Sequence, residues 1–181
     1  MQYNNEWLLA RYEAKERLKF VFFWKPLVAP NGQITASCLG QWWKSNFTVD
    51  GITYKTAEHW MMAGKARLFN DPVAMEKILQ AAAPAEVKKL GQQVKNFDQA
   101  TWNAHKFDIV ATGNYHKFSQ DPALKKFLLN TQERILVEAS PMDRIWGIGM
   151  AETHEHADNP TLWRGENLLG YALMTVRDQL K

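Results

Sequence analysis

Tyr54-Lys55-Thr56-Ala57-Glu58-His59-Trp60-Met61-Met62-Ala63-Gly64-Lys65-Ala66 decides how this chain is read. Thr56 is an N-cap residue, and the pattern after it predicts a helix running to about Phe69. At about 100° per residue, Ala57, Met61, Gly64 and Leu68 share one face, the expected core stripe. Glu58, Met62 and Lys65 follow at i, i+4, i+7 on a neighbouring face. Glu58 and Lys65 are then about 10 Å apart along the axis, too far to pair but well spaced to hold a ligand at both ends. Glu58 also lies in the first turn, where the helix dipole favours a charged carboxylate. The same two residues also fit a plainer pattern, a solvated acid and a solvated lysine on an amphipathic helix.

Working outward, Phe47-Thr48-Val49-Asp50-Gly51-Ile52-Thr53-Tyr54 alternates about Asp-Gly, a hairpin signal. The rest of the first 50 residues reads as extended or irregular, with an aromatic-rich run from Leu18 to Val28 broken at Pro26. Beyond Thr56 helices dominate. Asp71-Pro72 and Asp121-Pro122 each supply a cap followed by a proline at the first helical position. Between them are expected a short helix from Pro84 and a long one from Asp98 to Lys117. Ile135 to Ala139 reads as a strand. A final helix from Glu166 carries Leu169, Leu173, Val176 and Leu180 at helical spacing. The expected fold is α+β, mostly helical, a single domain over residues 1–181 with a small sheet built from the N-terminal third and the 135–139 segment.

With 181 residues and 46% apolar content the chain is long enough for one full core. No apolar run approaches the roughly 18 residues that span a bilayer, and the start lacks the basic-then-apolar order of a signal peptide. A cytoplasmic protein with no membrane partner is expected. The single Cys38 excludes an internal disulfide framework, and with no base beside it in sequence it reads as a packed thiol. A net charge of +3, spread along the chain, is not the basic stripe of a dedicated nucleic-acid binder.

A second block, Asp143-Arg144-Ile145-Trp146-Gly147-Ile148-Gly149, is too glycine-rich for a helix interior. It reads as a loop whose backbone approaches a ligand, with Trp146 to stack on a base and Asp143 to accept a ring or ribose proton. The plain alternative is a turn around a buried Trp. His154-Glu155-His156 with Asp158 lacks the H-E-x-x-H spacing and reads as a polar surface loop, so no metal is expected. Neither a G-x-S-x-G element nor a P-loop is present. His59, His105 and His116 are assigned no role. Both blocks set acids or a lysine beside aromatic rings, the equipment for holding a flat ring and breaking a bond next to it. That chemistry suits an N-glycosidase, which cleaves a base from a ribose without metal or cofactor. The alternative is a module that binds ADP-ribose or another nucleotide without cleaving it.

At these residues the chain resembles the NADAR (YbiA-like) family, from about Gly40 to Leu180. The landmarks run in family order: Asp50 to Tyr54, Thr56 to Met62 with Lys65, Trp102, Lys117-Phe118-Ser119-Gln120, Leu128 to Thr131, Leu136 to Ala139, Asp143 to Gly149, Gly165 to Gly170, and Leu173 to Arg177. The resemblance implies a compact α+β domain that hydrolyses N-glycosidic bonds to ribose. Two substrate classes go with it: phosphorylated ribosylamino-pyrimidine intermediates of riboflavin synthesis, and ADP-ribose attached to guanine, including ADP-ribosylated nucleic acid. By similarity Glu58, Trp102, Asp143 and Trp146 match the family's functional acids and aromatics. Lys65 matches a lysine proposed to take part in catalysis, either by binding phosphate or by forming a Schiff base. Trp42, Gly147 and Asn167 fall in landmark or cleft-lining segments and are expected at the substrate. The chain departs from many relatives in placing Gly40-Gln41-Trp42 where they carry Ser-Asn-Phe. Its segment from Ala151 to Pro160 is longer than in compact relatives and is expected to form a flap.

Overall fold

The computed structural model describes residues 2–27, 29, 31 and 33–181. In chain order its elements are α1 (Asn5–Glu13), β1 (Phe20–Phe23), β2 (Phe47–Val49), β3 (Ile52–Tyr54), α2 (Ala57–Leu68), α3 (Pro72–Gln80), α4 (Pro84–Gln92), α5 (Gln99–Gln120), α6 (Pro122–Leu129), β4 (Ile135–Glu138) and α7 (Leu168–Gln179). The fold is α+β and mostly helical, as expected. Two compact units make up the chain, residues 41–121 and residues up to 40 together with 122–181, and each is described by itself. No helix among the described residues is long and apolar enough to cross a membrane.

In the 41–121 unit the Asp-Gly hairpin forms as read. Asp50 and Gly51 both take positive φ, 50° and 77°, the conformation that matches the twist of two paired strands. Phe47 and Tyr54 face each other in register, with stacked rings. Thr56 caps α2 by accepting the His59 N–H, Asp71 caps α3 through Ala74, and Asp98 caps α5 through Thr101.

Here α2 is not the half-solvated helix its sequence suggests. Every residue from Ala57 to Gly64, and Ala66, is buried. Glycines on its neighbours make this enclosure possible. A Cβ at Gly91 of α4 would lie 1.9 Å from Met62 Sδ, and one at Gly113 of α5 would lie 2.2 Å from Trp60 Cδ1. Gly64 returns the favour, since its Cβ would meet Ile109 of α5 at 2.7 Å. Trp60 Nε1 donates to the Ile109 carbonyl at 2.7 Å, locking the α2–α5 contact.

The other unit holds the parallel pair β1–β4, with Phe20 opposite Ile135 and Phe23 opposite Glu138. This is the sheet expected from the N-terminal third and the 135–139 segment, but the hairpin does not join it and forms a two-stranded sheet of its own. Asn5–Glu13 is helical, which corrects the irregular reading of the N-terminus. Asn4 supplies the cap by accepting the Trp7 N–H at 2.8 Å. The last helix starts at Leu168, two residues later than expected, because Asn167 takes a left-handed φ of 53° just before it. Leu169, Leu173, Val176 and Leu180 are buried, as their spacing requires. Arg177 is buried with them and donates to the Arg134 carbonyl at 2.8 Å and to Thr131 Oγ1 at 3.0 Å.

Gly113→Ala is expected to lower stability. Glycine to alanine in a helix interior is intrinsically favourable by about 1 kcal/mol. Forcing a methyl into the Trp60 ring costs about 1–3 kcal/mol, so the clash outweighs the gain. A melting temperature several degrees below wild type, measured by circular dichroism, is the expected result. An unchanged or raised value would mean that α2 and α5 are not in tight contact there.

Candidate active site

Glu58 occupies the first turn of α2 and is 3% exposed. Its N–H donates to the Gln41 carbonyl at 3.0 Å, outside the helix, so one of the orphan donors of the helix start is satisfied by the segment before the hairpin. Gln41 continues inward. Its Oε1 accepts from Asn114 Nδ2 of α5 at 2.9 Å, and its Nε2 points at Met61 Sδ at 3.9 Å. Asn114 also donates to the Val110 carbonyl at 2.9 Å. Glu58 is thus a carboxylate at a positive helix end, in an environment with little water. Charge on such a group acts more strongly on a neighbour than it does in solvent. The solvated-acid pattern fails here because α3, α4 and α5 surround α2.

His59, given no role from the sequence, holds this turn in place. Its Nε2 is 3.1 Å from the Ala81 carbonyl and its Nδ1 is 2.8 Å from Thr56 Oγ1. A carbonyl only accepts, so Nε2 carries the proton and Nδ1 accepts from the Thr56 hydroxyl. Burial pushes the imidazole pKa down. The Lys55 ammonium pushes the same way, and the Ala81 bond opposes them. Lys55 reaches the same carbonyl at 2.7 Å. No periodic signal marks His59, because its value lies in which carbonyl it reaches after 22 residues.

Lys65 is half-buried further along α2. Its Nζ donates to the Gly91 carbonyl at 2.9 Å and lies 4.2 Å from the Phe97 ring centroid and 5.6 Å from that of Trp102. Burial lowers its pKa. The structure therefore brings Lys65 and Trp102 together, and with them Phe97, which no sequence signal marks. Trp42 directly follows Gln41 and is 37% exposed, the kind of surface aromatic that meets a ring. Lys117 of α5 is fully buried and was noticed only as part of a landmark.

The Asp143–Gly149 loop belongs to the other unit and is described within it. Asp143 Oδ1 accepts the N–H groups of Ile145 at 2.9 Å and Trp146 at 2.8 Å, so the carboxylate builds its own turn. Trp146 is half-buried beside it. Gly147 is required by packing: a Cβ there would lie 2.8 Å from the Glu138 carbonyl. Asn167, expected at the substrate, is 0% exposed and gives both amide atoms to β4, accepting from Glu138 N at 3.0 Å and donating to the Leu136 carbonyl at 3.0 Å. It ties α7 to the strand. In the 151–160 segment, Trp163 Nε1 donates to the Ala157 carbonyl at 2.8 Å, which pins that segment from below. Cys38 is buried, and no group of three or more His, Cys, Asp or Glu among the described residues is arranged to hold a metal ion.

Comparison with known proteins adds a consistent set of likenesses. The family model described as NADAR domain matches residues 22–181. The chain is 42% identical over 166 residues to N-glycosidase R617 of Acanthamoeba polyphaga mimivirus, covering 89% of this chain and 96% of that one. N-glycosidase YbiA of Escherichia coli (strain K12) is 32% identical over 132 residues, 73% of this chain and 74% of its own length. The NMR structure of the E. coli protein YbiA superposes with a TM-score of 0.70 at 27% identity, covering 90% of this chain and 84% of that one. The riboflavin biosynthesis protein PYRR, chloroplastic, of Zea mays is 32% identical over 138 residues, 72% of this chain but 20% of that longer protein.

The His59 geometry sets a pH dependence of stability. Its folded pKa is depressed, so below about pH 6.5 the unfolded chain binds a proton that the folded one resists. Stability is expected to be fully present above that pH and to fall as pH drops toward the folded pKa. His59→Gln should be less stable at neutral pH and show a shallower fall in melting temperature between pH 7.5 and 5. A slope identical to wild type would mean that His59 is not the buried neutral group described here.

Proposed function

This chain belongs to the NADAR domain family, and from that membership we propose that it is an N-glycosidase, a hydrolase that separates a base from a ribose. The observation that carries the reading is Glu58: a carboxylate kept out of water at the N-terminus of an enclosed helix. Breaking a bond between the anomeric carbon and nitrogen builds positive charge on the ribose, and a fixed carboxylate favours that charge and deprotonates the incoming water. A module that only binds nucleotides has less need of both this acid and Lys65.

The substrate carries phosphate. Lys65, with the Phe97 and Trp102 rings beside it, is two turns along α2 from Glu58, about 10 Å between backbone positions, a span that a bound substrate bridges. Its ammonium grips the phosphorylated end, and the two rings wall it. Trp42 stacks on the base or covers it. Within the other unit Asp143 shapes the loop carrying Trp146, with Gly147 and Asn167 holding that loop and its neighbours in place, and it is resemblance to the family that assigns Asp143 and Trp146 to substrate binding. A phosphorylated ribosylamino-pyrimidine of riboflavin synthesis is one substrate of this form, and the name of the maize relative supports it. ADP-ribosyl guanine, free or in nucleic acid, is the other.

Incubation with ribosylamino-pyrimidine phosphates, ADP-ribosyl guanosine and NAD, with mass spectrometry of the released base, tests the function. Glu58→Gln is expected to stay folded and to lose roughly 100-fold or more in turnover. Wild-type turnover in that variant would remove Glu58 from the chemistry. Binding of a panel member with no base released would favour a reader instead.

Lys65→Arg should retain much of the activity, because guanidinium still holds phosphate. Borohydride added during turnover should trap nothing on residue 65. An inactive Arg variant together with a reduced sugar adduct on Lys65 would instead establish a Schiff base there.

A further inference from the structure

We propose that the protein carries a second ligand site, a basic cleft at the N-terminal ends of β1 and β4 that takes a small ligand bearing two or more adjacent phosphates. It stands apart from the glycosidase reading.

The cleft lies within the unit formed by residues up to 40 and 122–181. It is a half-open cavity of about 410 Å³, within the size range of small-molecule sites. Three segments converge on it: Arg11 in the last turn of α1, Arg17 to Lys19 leading into β1, and Glu133 to Ile135 at the start of β4. The parallel pairing of β1 with β4 brings the last two together, and the Ile135 N–H donates to the Lys19 carbonyl at 2.8 Å. The Asp143–Gly149 loop follows the other end of β4 and contributes nothing to the lining, nor do Glu58 and Lys65.

Four cations, Arg11, Arg17, Lys19 and Arg134, and one acid, Glu133, line the cleft, a net of +3 that equals the formal charge of the whole chain. Nearby acids do not cancel it. Glu133 is itself 3.4 Å from the Lys181 ammonium, and Glu16 is committed to Arg11 Nε at 2.7 Å. Among the described residues Arg17 and Lys19 have no acid within ion-pair distance, and both are exposed. Arg134 is held ready. Its Nε and Nη2 donate to the Thr131 and Asn130 carbonyls just past the end of α6, which fixes the guanidinium and leaves Nη1 outside both bonds. From the interior Arg177, 1% exposed, donates to the Arg134 carbonyl at 2.8 Å and adds a positive charge that water does not screen. Like charges gathered around one cavity repel, and a bound anion removes that cost.

The geometry also selects the anion. Cations converging from three segments suit several negative charges close together, as in a di- or triphosphate, and arginine offers phosphate oxygens a fixed fork of donors. A nucleic-acid single strand spreads its charges along a track and stacks its bases on rings, and no aromatic residue is among those lining the cleft.

The experiment titrates isotope-labelled protein with tripolyphosphate, ADP, inorganic phosphate and a single-stranded oligonucleotide at matched ionic strength, following amide shifts by NMR and Kd by calorimetry. Tripolyphosphate or ADP is expected to shift the amides of residues 17–19 and 132–135 and to bind roughly 10-fold or more tighter than inorganic phosphate. Tripolyphosphate alone would identify a free polyphosphate as the ligand, and ADP at least as tight would identify a nucleotide. The double variant carrying Arg17→Gln and Lys19→Gln, altered at two exposed positions, should fold as wild type and bind roughly 10-fold or more weakly. If it does not fold by circular dichroism, the two single variants carry the comparison. Shifts confined to Lys65 and Gly91, an affinity unchanged by the substitutions, inorganic phosphate binding as tightly as tripolyphosphate and ADP, or the oligonucleotide binding in preference to both would each overturn the site as described.

Discussion

Much of the 41–121 unit depends on how closely three helices approach α2. Met62 sits where a side chain at residue 91 would be, and Trp60 where one at residue 113 would be. Neither contact is possible with a Cβ present. Both residues are on regular helices with ordinary φ, so these glycines are there for space and not for an unusual backbone. The enclosure turns an ordinary first-turn acid into a buried one. It also fixes the N-terminus of α2 through bonds that come from far away in sequence: Gln41, Asn114 and the Ala81 carbonyl.

The local signals were legible and the enclosure was not. Asp50-Gly51, Thr56, Asp71-Pro72 and Asp98 act through neighbours within three residues, so reading them needs no tertiary information. The α1 helix escaped because its only clear signal is the cap at Asn4. Its sequence puts polar and apolar residues on every side, and a single residue, Leu8, is buried in it. The Glu58–Met62–Lys65 row was found correctly as a row, but periodicity cannot distinguish solvent from a glycine-lined neighbour. Gln41 and Asn114 are 73 residues apart, and nothing in either local pattern announces their bond.

The Asp143–Gly149 block is a different case. Its glycines suggested a backbone left open for a ligand. Gly147 instead packs against the Glu138 carbonyl, and Gly149 takes a φ of 67° beside the Arg164 backbone. Asp143 uses one carboxylate oxygen to hold two N–H groups of its own turn. Composition identified the loop as unusual and left the reason open, since close packing and ligand access select the same residue.

Burial of Glu58 is a constraint on the packing of the 41–121 unit as well as a feature of the candidate site. Moving an ionised group from water into a protein interior costs several kcal/mol, and a partner or hydrogen bonds recover this only with favourable geometry. Apolar residues of similar size would hold α2 and α5 together at least as well, as Trp60 on Gly113 already does. Glu58 and Lys117 are both removed from solvent in the same unit, one at the helix start and the other on the helix that covers it. Lys65 differs in kind. It is only half-buried, it gives a hydrogen bond to Gly91, and it lies over aromatic faces that favour a cation. A lysine so placed holds an anion at little cost to the fold.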